Sequence, residues 1–199
     1  MATQLDYNQK SLNERIILKE IIKKLYDKTK IDIQYYLTDI EGNDIYDAYV
    51  MILNKETSSI IKSHLIEIKI RDTHYEDLML EKKKLTNLNI KAEDSGASVI
   101  YISCTPMGSF VYNLTRLEKE NSFEWKKEEH WKTTTDKSQG KTPKTVAYLN
   151  TQLAHFIDVR QTDLEVLKRL KNAEERTLKT TIISKQKKTL FDTLFSKAA

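Results

Sequence analysis

The chain has 199 residues, of which 39% are hydrophobic and 31% are charged, a composition that favours one globular core over wholesale disorder. Cys104 is the single cysteine, which excludes an intramolecular disulfide and a cysteine-based zinc cage and favours a reducing compartment such as the cytoplasm. The net charge of +4 permits a phosphate-bearing partner without demanding one, and no apolar run approaches the roughly 18 residues that span a membrane.

The first third of the sequence predicts a helix followed by three strands. Ser11 and Glu14 have the spacing of a capping box, and apolar residues recur after them at helical intervals, so the first helix is predicted over about residues 12–26. Runs rich in β-branched and aromatic residues follow, and the turn signal around Gly42 makes the first two a hairpin. These strands are predicted at residues 31–40, 45–53 and 60–71.

The remaining sequence changes from mixed elements to a helical tail. Residues 75–92 carry leucines among charges and predict a second helix, and residues 97–103 and 109–117 predict a pair of strands. The charged segment 118–144 is interpreted as a long loop, and residues 145–149 as a further strand. From residue 151 onward, leucines at helical spacing predict mostly helix.

This order of elements predicts an α/β (α+β) fold, an αβα sandwich with a mixed central β-sheet flanked by helices. We expect residues 1–150 to form the core. Residues 151–199 are expected to form a helical C-terminal extension that packs on the core or projects from it.

One strand combines an acid and a base on the same face. Side chains alternate along a strand, so Glu67 and Lys69 point the same way, while Ile66 and Ile68 point the other way. On the preceding strand, Asp47 is a carboxylate in apolar surroundings, where an unpaired charge is costly. Two carboxylates on adjacent strands repel each other, and a hard divalent cation such as Mg²⁺ relieves that repulsion. A cation and a neighbouring lysine together suit phosphodiester hydrolysis.

Asp47, the Glu67-Ile68-Lys69 strand and the helix on either side resemble the PD-(D/E)XK, or restriction-endonuclease-like, nuclease superfamily over about residues 11–117. Tyr46 stands where the family name has proline. The resemblance implies that Asp47 and Glu67 bind Mg²⁺ or Mn²⁺, with the backbone carbonyl of Ile68 as a further ligand. It also implies that Lys69 positions or helps to deprotonate the attacking water.

The resemblance further implies polar residues from the flanking helices. Glu81 and Lys84 are the candidates on the second helix, where Lys84 either snorkels to water or projects over the site. Glu20 is the candidate acid on the first helix, because Glu14 is assigned to the cap. Glu20 could equally be an exposed residue that pairs with a nearby lysine.

A DNA partner would require a binding surface, and several basic and aromatic residues are candidates for it. Tryptophans among lysines are typical of surfaces that stack on unpaired bases, although tryptophans that pack back on the core explain the same pattern. The candidates are Arg71, Lys82, Lys83, Trp125, Lys126 and Trp131.

The leading hypothesis is therefore a Mg²⁺-dependent nuclease acting on DNA in prokaryotic or phage repair, recombination or processing, which would place it in the cytoplasm, or in the host cytoplasm if it is phage-encoded. One alternative is a catalytically inactive protein of the same fold that binds nucleic acid or serves in assembly, in which Asp47 and Glu67 are relics or form ion pairs with Lys69 and Arg71. A third interpretation is a structural protein, and a homodimer through the C-terminal helices is possible in each case.

Overall fold

A computed structural model describes residues 4–26, 32–39, 44–132 and 137–175 of the chain. The chain divides into two compact units, Met1–Thr162 and Asp163–Ala199. The first unit holds the elements α1 (Gln4–Tyr26), β1 (Asp32–Leu37), β2 (Ala48–Leu53), β3 (Ile60–Ile70), β4 (Asp77–Glu81), α2 (Lys82–Ser95), β5 (Ser98–Thr105), β6 (Gly108–Asn113), α3 (Leu114–Lys119), β7 (Lys126–Trp131), β8 (Lys141–Asn150) and β9 (His155–Ile157). In the second unit, residues 164–175 are helical.

A six-stranded sheet in the order β1-β2-β3-β5-β6-β9 forms the centre of the first unit. The pairing of β3 with β5 is parallel and the other four pairings are antiparallel, so the sheet is mixed. Helices α1 and α2 both contact β3, the strand that carries Glu67. The predicted αβα sandwich with a mixed central sheet is confirmed. Within the described residues, no helix has the length and apolar character needed to cross a membrane.

A smaller sheet in the order β4-β8-β7 lies beside the central sheet. Leu78 and Leu80 of β4 pair with Leu149 and Ala147 of β8, and these leucines pack with residues of α2 and β5 in one buried cluster. Burial of such aliphatic side chains stabilises the fold by about 1.5–3 kcal/mol each. The second sheet and α2 therefore cover the face of β3 on which Leu65 lies.

The capping box predicted at Ser11 and Glu14 was wrong. Helix α1 begins at Gln4, so both residues lie inside the helix, away from the free N–H groups that a capping side chain would satisfy. The apolar stripe at Ile17 and Ile21 is buried as expected. The predicted hairpin of β1 and β2 and the third strand are confirmed, the last to within one residue.

The single helix predicted over residues 75–92 was wrong in its first part. Leu78 and Leu80 are buried on either side of the half-buried Met79, which is the alternation of a strand, and the helix begins only at Lys82. The spacing of the leucines also fitted a helix, and pairing with β8 decided between the two patterns.

The long loop predicted over residues 118–144 was also wrong. Residues Leu114–Lys119 form α3, whose N-cap Asn113 accepts a hydrogen bond from the Arg116 N–H, so the strand predicted to residue 117 ends early. Strand β7 follows and pairs with β8, which contains the strand expected at 145–149. The β7 sequence is mostly charged and gives no apolar alternation, which is why the sequence did not indicate it.

The tail predicted as mostly helix begins with a short 3-10 turn, Thr151–Leu153, and then a strand. Strand β9 pairs with β6 at the sheet edge, so the first compact unit runs to Thr162, beyond the boundary expected at residue 150. Residues 164–175 are helical as predicted, and the helix expected over 176–199 lies outside the described residues.

Candidate active site

Asp47 lies in a bend immediately before β2, although the sequence placed it within the strand. Its N–H donates to the Ile66 carbonyl at 2.7 Å, and its Oδ2 accepts from the Ile68 N–H at 2.9 Å. Because Ala48 pairs with Ile66 in the antiparallel register, Asp47 stands opposite Glu67. Backbone hydrogen bonds thus fix the Asp47 carboxylate beside β3.

Glu67 and Lys69 share one face of β3, as the alternation predicted. The Lys69 Nζ lies 2.9 Å from Glu67 Oε1, and the Glu67 side chain is only 5% exposed. The parallel pairing of β3 with β5 places Glu67 beside Tyr101 and Lys69 beside Ser103, both of which are buried. The acid and the base are therefore held on the central strands of the sheet.

Lys84, in the first turn of α2, also contacts Glu67 Oε1. The sequence left open whether the Lys84 side chain extends to water or projects over the site. In the structure it contacts Glu67. Glu81, directly before the helix, forms an ion pair with Lys144 of β8 at 2.8 Å, so it lies at the rim. Lys84 and Glu81 thus both face the region of Asp47, Glu67 and Lys69.

Helix α1 contributes Glu14 and Arg15, which sequence reasoning missed. Glu14 Oε1 lies 3.4 Å from Lys69 Nζ, and Arg15 Nη1 lies 3.3 Å from Asp47 Oδ1. Arg15 also donates from Nε to the Thr38 carbonyl at 2.8 Å. Glu20, the acid expected from this helix, is half-buried and does not line the pocket.

A signal for Glu14 was present in the sequence. Glu14, Ile17 and Ile21 fall at i, i+3 and i+7, so Glu14 continues the apolar stripe that the helix buries. A carboxylate in a buried stripe needs a partner. The assignment of Glu14 to a cap removed it from consideration.

These side chains surround one pocket of about 390 Å³. Its wall unites α1, the bend at Asp47, β3 and the start of α2. Further polar residues line it from α1, from the loops and from α2: Ser11, Asp39, Asp44, Lys83 and Asn87.

Burial and charge set the protonation of the pocket. Burial and the neighbouring Glu67 raise the pKa of Asp47 from 3.8 to about 7, against the opposing effects of Lys69 and the Ile68 N–H. Burial alone would raise the pKa of Glu67, but Lys69 and Lys84 outweigh it and lower that pKa overall. Burial disfavours the charged form of Lys69, yet Glu67, Glu14 and Asp47 raise the pKa of this lysine. Lys69 is therefore an ammonium group at neutral pH and suits orientation and charge stabilisation better than proton removal.

The remaining candidates lie outside this pocket. The Arg71 guanidinium donates to the Tyr101 hydroxyl at 3.1 Å. Lys82 lies 5.5 Å from the ring centroid of Trp125, and that tryptophan packs against the buried core cluster. Lys126 pairs with Glu124. Trp131 remains 38% exposed, with Lys141 at 5.4 Å from its ring centroid.

Comparison with known proteins finds solved structures of similar fold, among them the following two. No protein-family model and no curated protein matches the chain. The fold is similar to that of Hjc, a Holliday junction resolvase from Archaeoglobus fulgidus, with 12% identity, a TM-score of 0.44, and coverage of 72% of this chain and 91% of that one. It is also similar to a nuclease from a fusselovirus, with 13% identity, a TM-score of 0.39, and coverage of 84% and 93%. The functional interpretation rests on the geometry of the pocket.

Proposed function

We propose that this protein is a divalent-cation-dependent nuclease that hydrolyses DNA phosphodiester bonds. The observation that carries the proposal is the position of the Asp47 and Glu67 carboxylates and the Lys69 ammonium group around one pocket. Asp47 comes from the bend before β2, whereas Glu67 and Lys69 come from β3. The PD-(D/E)XK resemblance, drawn from these same residues, indicates the same chemistry.

The donor set of the pocket fits Mg²⁺ or Mn²⁺. Asp47 and Glu67 supply hard oxygen donors, and their mutual repulsion contributes to the raised pKa of Asp47. Among the described residues, no group of three or more His, Cys, Asp or Glu is arranged to hold a metal ion. Mg²⁺ commonly retains several waters and uses one or two carboxylates together with substrate phosphates, so two carboxylates suffice. The Ile68 carbonyl is the proposed third ligand.

The roles of the protein groups follow from their charges and positions. A cation bound at Asp47 and Glu67 supplies Lewis-acid stabilisation and makes water a better nucleophile. Lys69, held between Glu67 and Glu14, orients the water and stabilises negative charge on the phosphate. Arg15 holds Asp47 through its ion pair with Oδ1, and it also donates to the carbonyl of Thr38, whose N–H donates to the Asp47 carbonyl.

The DNA surface in this proposal extends from the pocket over the start of α2 to the β7–β8 hairpin. Lys83 lines the pocket, Lys82 adjoins Trp125, and Lys126 and Trp131 lie on β7. Lysines attract the phosphate backbone, and an exposed tryptophan offers a stacking surface for an unpaired base. Arg71 lies beside Tyr101 and is proposed as a more distant phosphate contact. We further propose a cytoplasmic location in a phage or prokaryotic setting.

A panel of DNA forms tests this proposal. Supercoiled, linear duplex, single-stranded and branched DNA are incubated with the protein in Mg²⁺ or in EDTA. We expect cleavage of at least one form in Mg²⁺ and none in EDTA. Cleavage that persists in EDTA, or the absence of cleavage of every form with Mg²⁺ and Mn²⁺, would count against the proposal.

A second candidate function is a nucleic-acid-binding or assembly protein that has lost catalysis. The ion pairs of Asp47 with Arg15 and of Glu67 with Lys69 and Lys84 favour it, because they neutralise both carboxylates from within the chain. Arg71, the partner considered for these acids from the sequence, contacts Tyr101 instead. Mn²⁺ titration separates the two candidates, because the nuclease binds the ion through Asp47 and Glu67 and the inactive protein does not.

A further inference from the structure

One carboxylate oxygen in the pocket has two ammonium partners. Lys69 Nζ and Lys84 Nζ both contact Oε1 of Glu67, whose side chain is 5% exposed. The side chain of Lys84 is 34% exposed, so it reaches Glu67 from the solvent side of the pocket. Like charges brought to one oxygen repel each other, and a divalent cation at Glu67 would add to that repulsion.

The two lysines differ in what holds them. Lys69 also lies 3.4 Å from Glu14, so it keeps a carboxylate partner when Glu67 turns to a cation. The ion pair of Lys84 is with Glu67. Lys84 stands in the first turn of α2 on a flexible four-carbon stem, and Lys83 next to it also lines the pocket. Of the two lysines, Lys84 can therefore leave Glu67 with the smaller loss of ion-pair stabilisation.

We propose that Lys84 is an exchangeable counterion, which holds Glu67 while no metal is bound and moves to a substrate phosphate when a divalent cation takes its place. This positioning role rests on the proposed nuclease function. This exchange makes cation binding and phosphate binding favour each other, because Lys84 gains a phosphate partner when it gives up the Glu67 carboxylate. The cation alone must compete with Lys84 and therefore binds weakly.

The test is Mn²⁺ affinity, measured by isothermal titration calorimetry on the full chain without DNA. Lys84→Met removes the competing ammonium, and we expect Mn²⁺ to bind about tenfold more tightly than to the wild type, as for loss of a partly buried competing ion pair. Lys83→Met is the matched control, because it removes the same charge from the same wall without touching the Glu67 ion pair. It should change the affinity by no more than about twofold.

A second measurement tests the coupling between Mn²⁺ binding and phosphate binding. A duplex oligonucleotide with cleavage-resistant phosphorothioate linkages should tighten Mn²⁺ binding to the wild type, and it should do so several-fold less for Lys84→Met. Circular dichroism verifies the fold of each variant, and Lys84→Gln replaces Lys84→Met if the apolar side chain disturbs α2.

The outcomes separate this inference from the proposed function. If the wild type binds Mn²⁺ and Lys84→Met binds it equally or more weakly, the counterion role is wrong while the nuclease proposal stands. If neither protein binds Mn²⁺, with or without the oligonucleotide, both fail. Tighter binding to Lys84→Met together with reduced coupling supports the exchange.

Discussion

The pocket residues form a chain of ion pairs from α1 to α2, and the role of each residue can be tested separately. Glu14 holds Lys69, and Lys69 contacts Glu67. Glu14→Gln removes the charge that keeps Lys69 oriented, so we expect kcat/KM for DNA cleavage to fall by about 10- to 100-fold, as is typical when a supporting partner is lost. Glu20→Gln on the same helix is the control and should leave cleavage unchanged. Equal cleavage rates for the two variants would show that Glu14 has no role in orienting Lys69.

Asp47 gives the metal-free protein a specific dependence of stability on pH. Its pKa is raised from 3.8 to about 7 by burial and by Glu67, so the folded protein binds a proton more tightly than the unfolded chain does. The stabilisation from this group is present in full below about pH 4 and is lost as pH rises through about 7. In EDTA, we expect the unfolding free energy of the wild type relative to Asp47→Asn to fall between pH 5 and 7, by at most about 1.4 kcal/mol per pH unit.

Urea unfolding at several pH values measures this difference. A difference that rises with pH would mean that Asp47 is stabilised as a carboxylate and that Arg15 dominates its environment.

The same titration governs cation binding. A cation needs the Asp47 carboxylate, so protons compete with it below about pH 7. We expect Mn²⁺ affinity to fall by up to about tenfold per pH unit between pH 7 and 5, with release of protons on binding, measurable by calorimetry in buffers of different ionisation enthalpy. Affinity that is independent of pH over this range would contradict the assignment of Asp47 as a ligand.

At the residue scale, the sequence indicated Glu67 and Lys69 because strand alternation leaves little choice of direction. Asp47 was identified as a carboxylate in apolar surroundings, although its place in a bend depends on hydrogen bonds to Ile66 and Ile68 that no local pattern encodes. Glu14 and Arg15 were missed, because a capping motif explained Glu14 locally and only contacts between distant elements show otherwise.

At the scale of elements, β4 is the clearest case in which tertiary pairing decided the structure. Leu80 of β4 is 1% exposed within the cluster under α2, whereas Ile90 on α2 is 58% exposed. We expect Leu80→Ala to lower the unfolding free energy by about 2–5 kcal/mol. Ile90→Ala is the control and should change it by less than about 0.5 kcal/mol. Similar urea midpoints for the two variants would contradict the burial of Leu80 beneath α2.

The β7–β8 hairpin shows the limit of sequence patterns. Strand β3 was predicted to within one residue because its apolar run is long and rich in isoleucine. Strand β7 consists of the residues Lys-Lys-Glu-Glu-His-Trp, which favour no periodicity, and it is held by pairing with β8. Its function as a DNA surface is a proposal that Trp131→Ala tests: DNA affinity should fall while Mn²⁺ affinity is unchanged.

At the scale of the whole molecule, the end of the first compact unit matters for stability. Strand β9 pairs with β6, and Ser109 Oγ donates to the Val159 carbonyl at 2.6 Å. A chain that ends at Thr162 retains these contacts, and we expect it to unfold cooperatively with nearly the full stability of its unit. A chain that ends at Asn150 should be several kcal/mol less stable, because it loses the buried Ile157 and Val159.

Self-association through the C-terminal residues is tested with the same proteins. If residues after Thr162 form the homodimer interface that the sequence leaves open, light scattering should give twice the chain mass for the full protein and the monomer mass for the chain that ends at Thr162. Equal oligomeric states for the two would exclude that interface. The sequence suggested helix in this tail from leucine spacing, but spacing alone does not say whether the partner is the same chain or another copy.

The central claim is that Asp47, Glu67 and Lys69 together form a phosphodiester-cleaving site, and single-turnover cleavage of DNA in Mg²⁺ tests it most directly. Each of Asp47→Asn, Glu67→Gln and Lys69→Met should keep the circular dichroism spectrum of the wild type and lose at least about a hundredfold in rate. A protein that carries Glu67→Ala and Lys69→Ala together and still cuts DNA at the wild-type rate would contradict the account.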